Sequence, residues 1–287
     1  MIDLSGSEWK EALSAGFDAN THEFTKNNTT ITIFKFYGVK IAYVNFIVGL
    51  KNPTNSILEE IDSFARTMKI DIVRHQTTEK LSSGCSIFQY HQTTAIINDL
   101  QNWDEKTIEK PRRTAKKLKT NTLNIRKATT DDSATIFDIY TETIQRNSAT
   151  KKYNATYFQK TAPSAWVACE NSRIIAFVLT GRHHSRGLYL HGGHRANARN
   201  SYASDKLFLT MLREAKSNNL QTFDFLTSPP SQPSLLRYKL AWGGTQECVI
   251  ISDHPITIKG YLFATLYYIQ NRLNGLRITI NKSLKKV

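Results

Sequence analysis

The chain has 287 residues, 40% of them apolar, enough to bury a core and to argue against global disorder. Its 38 Lys and Arg against 24 Asp and Glu give a formal charge of +14, which favours anionic partners: phosphorylated cofactors, nucleic acid or an acidic membrane face. The three cysteines, Cys85, Cys169 and Cys248, show no C-x-x-C spacing, which argues against a disulfide framework and a thiolate zinc site and fits a reducing cytosol.

The first ten residues lack a basic stretch followed by an apolar run, so no signal peptide is expected. A helix is expected over Ser7 to Ala15. Thr30 to Phe36 and Lys40 to Phe46 read as strands turned at Tyr37-Gly38. Ser56 is placed to cap a helix reaching Lys69, with Ile57, Leu58, Ile61, Phe64, Ala65 and Met68 at helical spacing. Ile70 to Arg74 reads as a short strand, and Cys85 to Tyr90 with Thr94 to Leu100 as a strand pair. Residues 1–104 therefore form a mixed α/β N-terminal half.

Residues 105–122 read as a basic junction helix. Lys106, Lys110, Arg112, Arg113, Lys116, Lys117 and Lys119 recur at three- and four-residue spacings, and Pro111 suits a first helical turn. Such a helix serves either as a solvated linker or as a surface for phosphates or RNA, tRNA included.

The pattern restarts over 123–253. Leu123 to Ala128 is a strand, and Thr130-Asp131-Asp132 caps a helix reaching Arg146. Tyr157-Phe158 sits in a second short helix. Ser164 to Glu170 and Arg173 to Thr180 form a hairpin across Asn171-Ser172. Arg186-Gly187 turns into a strand, Leu188 to Gly192. Ser201 to Asn218 is a helix, and Leu220 to Leu226 the next strand. Both halves offer strand, helix, hairpin, helix and strand, as a structural duplication would.

After Asp253, His254-Pro255 is expected to break the chain. Residues 254–287 read as a basic amphipathic tail, with Leu262, Phe263, Leu266, Tyr267, Ile269 and Leu273 followed by Arg277, Lys282, Lys285 and Lys286. It either packs back on the protein or docks on an anionic membrane surface. The apolar runs at 41–50 and 261–269 fall short of the ~20 residues a transmembrane helix needs, so a cytoplasmic, at most peripheral, protein is expected.

The most specific stretch runs from Phe223 to Gly244: Phe-Asp-Phe-Leu, a Pro/Ser loop, a short helical turn, Tyr238-Lys239 and Trp242-Gly243-Gly244. It resembles the closing motif of Fem-type peptidyltransferases and of the CelD/BcsL-type acyltransferases, which share the GNAT fold. The resemblance covers roughly residues 30 to 250. It implies an α/β fold with a mixed sheet and tandem GNAT-like halves, the N-terminal one degenerate and the C-terminal one best matched. It also implies an N-acyltransferase acting on an amine of a cell-envelope precursor or surface glycan.

In such a fold the donor lies between two parting strands, with its phosphates at the next helix N-terminus, where free amides and the helix dipole favour anions. The corresponding residues are Gly192, Gly193, Arg195, Arg199, Asn200 and Ser201. An Arg/Gln-x-x-Gly-x-Gly/Ala phosphate signature is absent. Acyl-CoA is favoured over aminoacyl-tRNA as donor, and no cofactor is expected to be bound permanently. The acceptor would be a small-molecule, glycan or peptide amine.

Lys239, beside Tyr238 and Trp242, is the candidate for stabilising the tetrahedral oxyanion. Asp224 reads as an anchor for the motif loop, and Tyr157 as part of the substrate pocket. His191 is the candidate proton acceptor for the attacking amine. His183, His184, His191 and His194 have no Asp, Glu or Cys beside them to complete a ligand set, so no metal is expected. Two other readings stay open: a non-catalytic tRNA- or nucleic-acid-binding module, and a degenerate GNAT scaffold.

Overall fold

The structure is a computed structural model, and it describes residues 1–17, 19–24, 29–49, 54–78, 88–118, 123–147, 152–198, 201–229 and 232–270. The chain divides into two compact units. The first holds Met1–Phe17, Ala95–Leu226 and Arg237–Gln246; the second holds Asp18–Thr94, Thr227–Leu236 and Glu247–Val287.

In chain order, β1 (Ile2–Asp3) and α1 (Ser7–Phe17) open the first unit. β2 (Asn20–Phe24), β3 (Thr29–Phe36), β4 (Val39–Val44), α2 (Asn55–Thr67) and β5 (Ile72–Thr77) lie in the second. β6 (Phe88–Ile97) leads back to the first. There follow α3 (Glu109–Leu118), β7 (Asn124–Lys127), α4 (Ser133–Arg146), α5 (Ala155–Thr161), β8 (Ala165–Glu170), β9 (Arg173–His183), β10 (Arg186–His194), α6 (Ala203–Ser217), β11 (Thr222–Ser228) and α7 (Pro233–Leu240). β12 (Thr245–Pro255) and a helix α8 over 258–270 complete the described chain. The architecture is mixed α/β.

In the second unit the strand order is β2-β3-β4-β5-β12, with β4 and β5 parallel and the remaining pairs antiparallel. Tyr37 and Gly38 both take positive φ (+49° and +79°), as a tight two-residue hairpin turn requires. Helix α2 buries Leu58, Ile61 and Ala65, the last two against Ile31, Ala42, Val44 and Val73. Its cap is Thr54, whose Oγ1 accepts the Ile57 N–H at 3.4 Å, and not Ser56. The expected break at His254-Pro255 is absent. β12 runs antiparallel to β5 through Pro255, which sits opposite Ile72 at the strand end, where a missing N–H is tolerated. The expected strand pair around Thr94 is the single strand β6; Cys85 lies outside the described residues.

In the first unit the order is β11-β10-β9-β8-β7, with β1 parallel to β9. β10 and β11 are parallel; the other neighbours are antiparallel. Val167, Ala168, Phe177, Leu188, Phe223 and Phe225 are buried, between Leu207, Met211 and Leu212 of α6 and Ile136, Ile139 and Phe158 of α4 and α5. Asn171 and Ser172 turn β8 into β9 with φ of +48° and +64°. The following turn is centred on His184 (φ +51°) rather than Arg186-Gly187. Gly187 lies inside β10, where a Cβ would stand 2.7 Å from the Phe223 ring. No helix among the described residues is long and apolar enough to cross a membrane.

Candidate active site

β10 and β11 pair only at Arg186–Thr222, Gly187–Phe223 and Leu188–Asp224. Beyond that point each strand carries an irregularity. On β10, the register against β9 slips between Tyr189 and His191, leaving Leu190 as a bulge. An unbroken strand would aim Tyr189 and His191 at one face. Here the Tyr189 ring sits 5.0 Å from Phe208 of α6, while His191 lies among Tyr140, Tyr153, Tyr157 and Phe158 of the α4–α5 region. On β11, Leu226 takes φ +58°, an uncommon and costly setting for a side chain of this size. The strands part where both irregularities occur.

Lys239, expected as the oxyanion stabiliser, reaches this fork. It is 2% exposed, its Nζ donates to the Leu226 carbonyl at 2.9 Å, and it lies 5.8 Å from the Tyr189 ring centroid. Burial lowers its pKa to about 8, against the opposing pull of Asp224. Asp224 is paired with Arg186 and accepts the Leu226 N–H at 2.7 Å. The left-handed leucine is thus held at both backbone polar groups, by Asp224 and by Lys239.

Tyr238 donates to Asp205 Oδ1 at 2.8 Å, and Lys110 of α3 donates to Asp205 Oδ2 at 2.6 Å. Asp205 is in the first turn of α6, where a carboxylate meets the positive end of the helix dipole. Lys117, also on α3, donates to the Tyr202 hydroxyl at 2.6 Å. The basic junction helix therefore lies at the start of α6, with Arg112, Arg113 and Lys116 exposed. Trp242 is fully buried against Phe208, and its carbonyl accepts the Trp103 indole N–H at 2.8 Å.

The residues expected to hold phosphate are placed unevenly. Arg195 pairs with Glu142 at 3.2 Å, and the other oxygen of that carboxylate accepts the Ala196 N–H at 2.6 Å. Ser201 donates to the Ala198 carbonyl at 2.7 Å and accepts the Ala203 N–H at 3.3 Å. A Cβ on Gly192 would meet the Tyr189 hydroxyl, and one on Gly193 would stand 2.6 Å from Thr143 Oγ1. Both glycines thus make room for side chains of the first unit. Arg199 and Asn200 lie outside the described residues.

His191 and Tyr157 come together: the Tyr157 hydroxyl and His191 Nε2 are 3.0 Å apart. Burial, with a smaller push from Lys152, lowers the His191 pKa to about 3, so the ring is neutral at pH 7. Tyr157 is fully buried under α1, where Gly16 allows the helix to approach its Cβ. Among the described residues no cluster of His, Cys, Asp and Glu could hold a metal ion. Sequence reading missed Tyr189, Asp205 and Glu142. Asp205 carried a signal, as an acidic residue in a first helical turn; Glu142 carried none.

Residues 105–240 match the family model described as "Acetyltransferase (GNAT) domain". No curated protein sequence matches the chain. Among solved structures, FemX is similar with a TM-score of 0.63 at 11% identity, over 92% of this chain and 94% of that one. L-PGS from Bacillus licheniformis is similar with a TM-score of 0.60 at 12% identity, over 93% and 98%. The C-terminal domain of a putative lysylphosphatidylglycerol synthetase from Agrobacterium fabrum gives 0.60 at 13% identity, over 86% and 87%. At these identities the likeness speaks to fold. The matched stretch begins ahead of the basic helix and ends at Leu240, one residue past Lys239, so it spans the parted strands and the buried lysine. The likeness to the GNAT acetyltransferase domain family thus lies in residues 105–240.

Proposed function

We propose that the protein is an N-acyltransferase that moves an acyl group from acyl-CoA to the amine of a cell-envelope precursor or glycan. The observation that carries this reading is the fork between β10 and β11, bulged at Leu190, left-handed at Leu226, and reached by the Lys239 ammonium. Parted parallel strands leave backbone groups to grip an extended donor, and crevices of this kind are where α/β sheets bind ligands.

In this reading the amine nitrogen attacks the thioester carbon, the carbonyl oxygen takes the negative charge, and the thiolate leaves as the carbonyl reforms. A fixed ammonium in a water-poor site stabilises that oxyanion. Lys239 supplies it, and Leu226 and Asp224 hold its position. The proton the amine loses passes to the departing thiolate, which leaves as the free thiol, while His191, kept neutral, stays hydrogen-bonded to Tyr157. Lys110, with the exposed Arg112, Arg113 and Lys116, favours an anionic donor at the start of α6. No permanently bound cofactor is needed, and a cytoplasmic site fits an acyl-CoA donor.

A second reading, aminoacyl-tRNA as donor, is favoured by that same exposed basic row and by the fold shared with FemX. Thermal unfolding of the full chain with an acyl-CoA panel and with aminoacyl-tRNA, at low and moderate salt, separates the two. A salt-tolerant rise in Tm with an acyl-CoA supports the first. A rise with tRNA alone, lost as salt increases, supports the second and overturns the first.

A further inference from the structure

Helix α8 is apolar on both faces. Inward, Ala264 is 1% exposed and clusters with Val39, Ile41 and Ile72, the half-buried Phe263 packs against them, Tyr268 meets Phe88, and Gly260 lies where a Cβ would strike the Asp71 carbonyl. The outward face carries Ile258 (83% exposed), Leu262 (60%), Leu266 (69%), Tyr261 and Ile269 (48% each). Their spacing puts them on one stripe. Lys259 is the sole charged residue of 258–270. A helix that is apolar all round calls for apolar surroundings on both sides, and a contiguous exposed patch marks an interaction surface.

A second element continues the patch. Lys259 Nζ donates to the Gly38 carbonyl, so the tip of the β3–β4 hairpin stands at the first turn of α8. At that tip Tyr37 is 99% exposed and Phe36 38% exposed. Lys35 and Lys40 face each other across the hairpin, and both are exposed. Like charges directly opposite are unfavourable unless an anion joins them. A carboxylate in this corner, Asp71, accepts the Lys40 N–H and lies 3.5 Å from Lys259 Nζ. The sequence after residue 270 adds Arg272, Arg277, Lys282, Lys285 and Lys286, with no Asp or Glu.

We propose that α8 and the β3–β4 hairpin tip form a docking surface for an anionic lipid bilayer. The outward stripe enters the headgroup–acyl boundary, Tyr37 sits at headgroup depth, and the lysines meet anionic headgroups. Interfacial helices bind through buried apolar area together with attraction between basic residues and anionic lipid. A second copy of the chain fits the apolar stripe but not its positive border, which would face itself.

The test is flotation of the full chain with vesicles of phosphatidylcholine alone and of roughly 7:3 phosphatidylcholine and phosphatidylglycerol. The expected result is binding to the anionic vesicles that weakens with salt, with little binding to the neutral ones. Leu262→Ser with Leu266→Ser should cut the bound fraction about tenfold. An unchanged melting temperature shows that the variant is folded, since both side chains are exposed. Tyr37→Ser, on the other element, should give a smaller loss. Parent protein that fails to float, or a double variant that floats equally well, overturns the proposal. So does a dimer in light scattering that the double variant abolishes while vesicle binding is absent.

Discussion

Lys239 and Leu226 hold one another in place: the buried ammonium donates to the carbonyl of a leucine whose φ is +58°. Either alone is costly, since burying a charge and a left-handed non-glycine residue each oppose folding. Together with Asp224, which accepts the Leu226 N–H, they fix an ammonium at the strand fork. Lys239→Met keeps most of the volume and removes the charge. Turnover should fall ~100-fold or more while the protein remains folded. The same variant has a pH signature. With a folded pKa near 8 and an ordinary value near 10.5, the unfolded chain binds more protons across that window, so this lysine makes stability rise as pH increases through it. Urea unfolding at pH 8 and pH 10 should show a gain in the parent that the methionine variant lacks.

Asp224 should matter to the fold as well as to the site. It is 2% exposed, pairs with Arg186 and caps the Leu226 amide. Asp224→Ala strands a half-buried guanidinium and a backbone N–H, and should cost about 3 kcal/mol in denaturant unfolding. Asp224→Asn, which can still accept from Leu226, should cost less.

Gly193 is expected to tolerate no side chain while Thr143 is present. Its Cβ would stand 2.6 Å from Thr143 Oγ1, 3.2 Å from Phe177 and 3.3 Å from Ile139. Gly193→Ala should destabilise by about 1–3 kcal/mol. Thr143→Ala in the same chain should recover part of that loss, a coupling that a double-mutant cycle would read.

His191 should make the protein acid-sensitive. Its folded pKa is near 3 and its ordinary value is 6.5, so below pH 6.5 the unfolded chain takes up a proton that the folded one refuses. Stability is therefore lost as pH falls from about 6.5 towards 3. His191→Gln should lose less Tm between pH 7 and pH 4.5 than the parent. A variant that acidifies in parallel with the parent would contradict the burial argument.

The elements most legible in the sequence are those with strong periodicity. α6 carries Leu207, Phe208, Met211, Leu212 and Ala215 on one face, and the β8–β9 hairpin carries Asn171-Ser172, residues that accept positive φ. β12 was hidden. Its buried stretch includes Ser252 and Asp253, and Asp253 is tolerated because Arg74, 179 residues earlier, meets both its oxygens at 2.6 Å. Nothing local reveals such a partner. β2, Asn-Thr-His-Glu-Phe, has no apolar alternation to announce it. At the site, the motif around Tyr238-Lys239 was readable because its residues are adjacent in sequence. The β10 bulge falls at Leu190, where no glycine marks it. Glu142 and Asp205, which take up Arg195 and Lys110, come from other helices, and their pairings, like that of Arg74, leave no local sign in the sequence.

Acyl transfer at the β10–β11 fork is read most plainly by turnover. The full chain and Lys239→Met should be incubated with acyl-CoA thioesters and a panel of amines, amino sugars and peptide amines included, and release of the CoA thiol followed. The parent should release thiol in an amine-dependent way, with matching formation of an amide, and the variant should nearly lose that release. Amine-dependent release that is equally fast in Lys239→Met would contradict the assignment of the site. No amine-dependent release from any thioester would contradict the donor assignment, and no transfer from aminoacyl-tRNA either would contradict the reading of the protein as an N-acyltransferase.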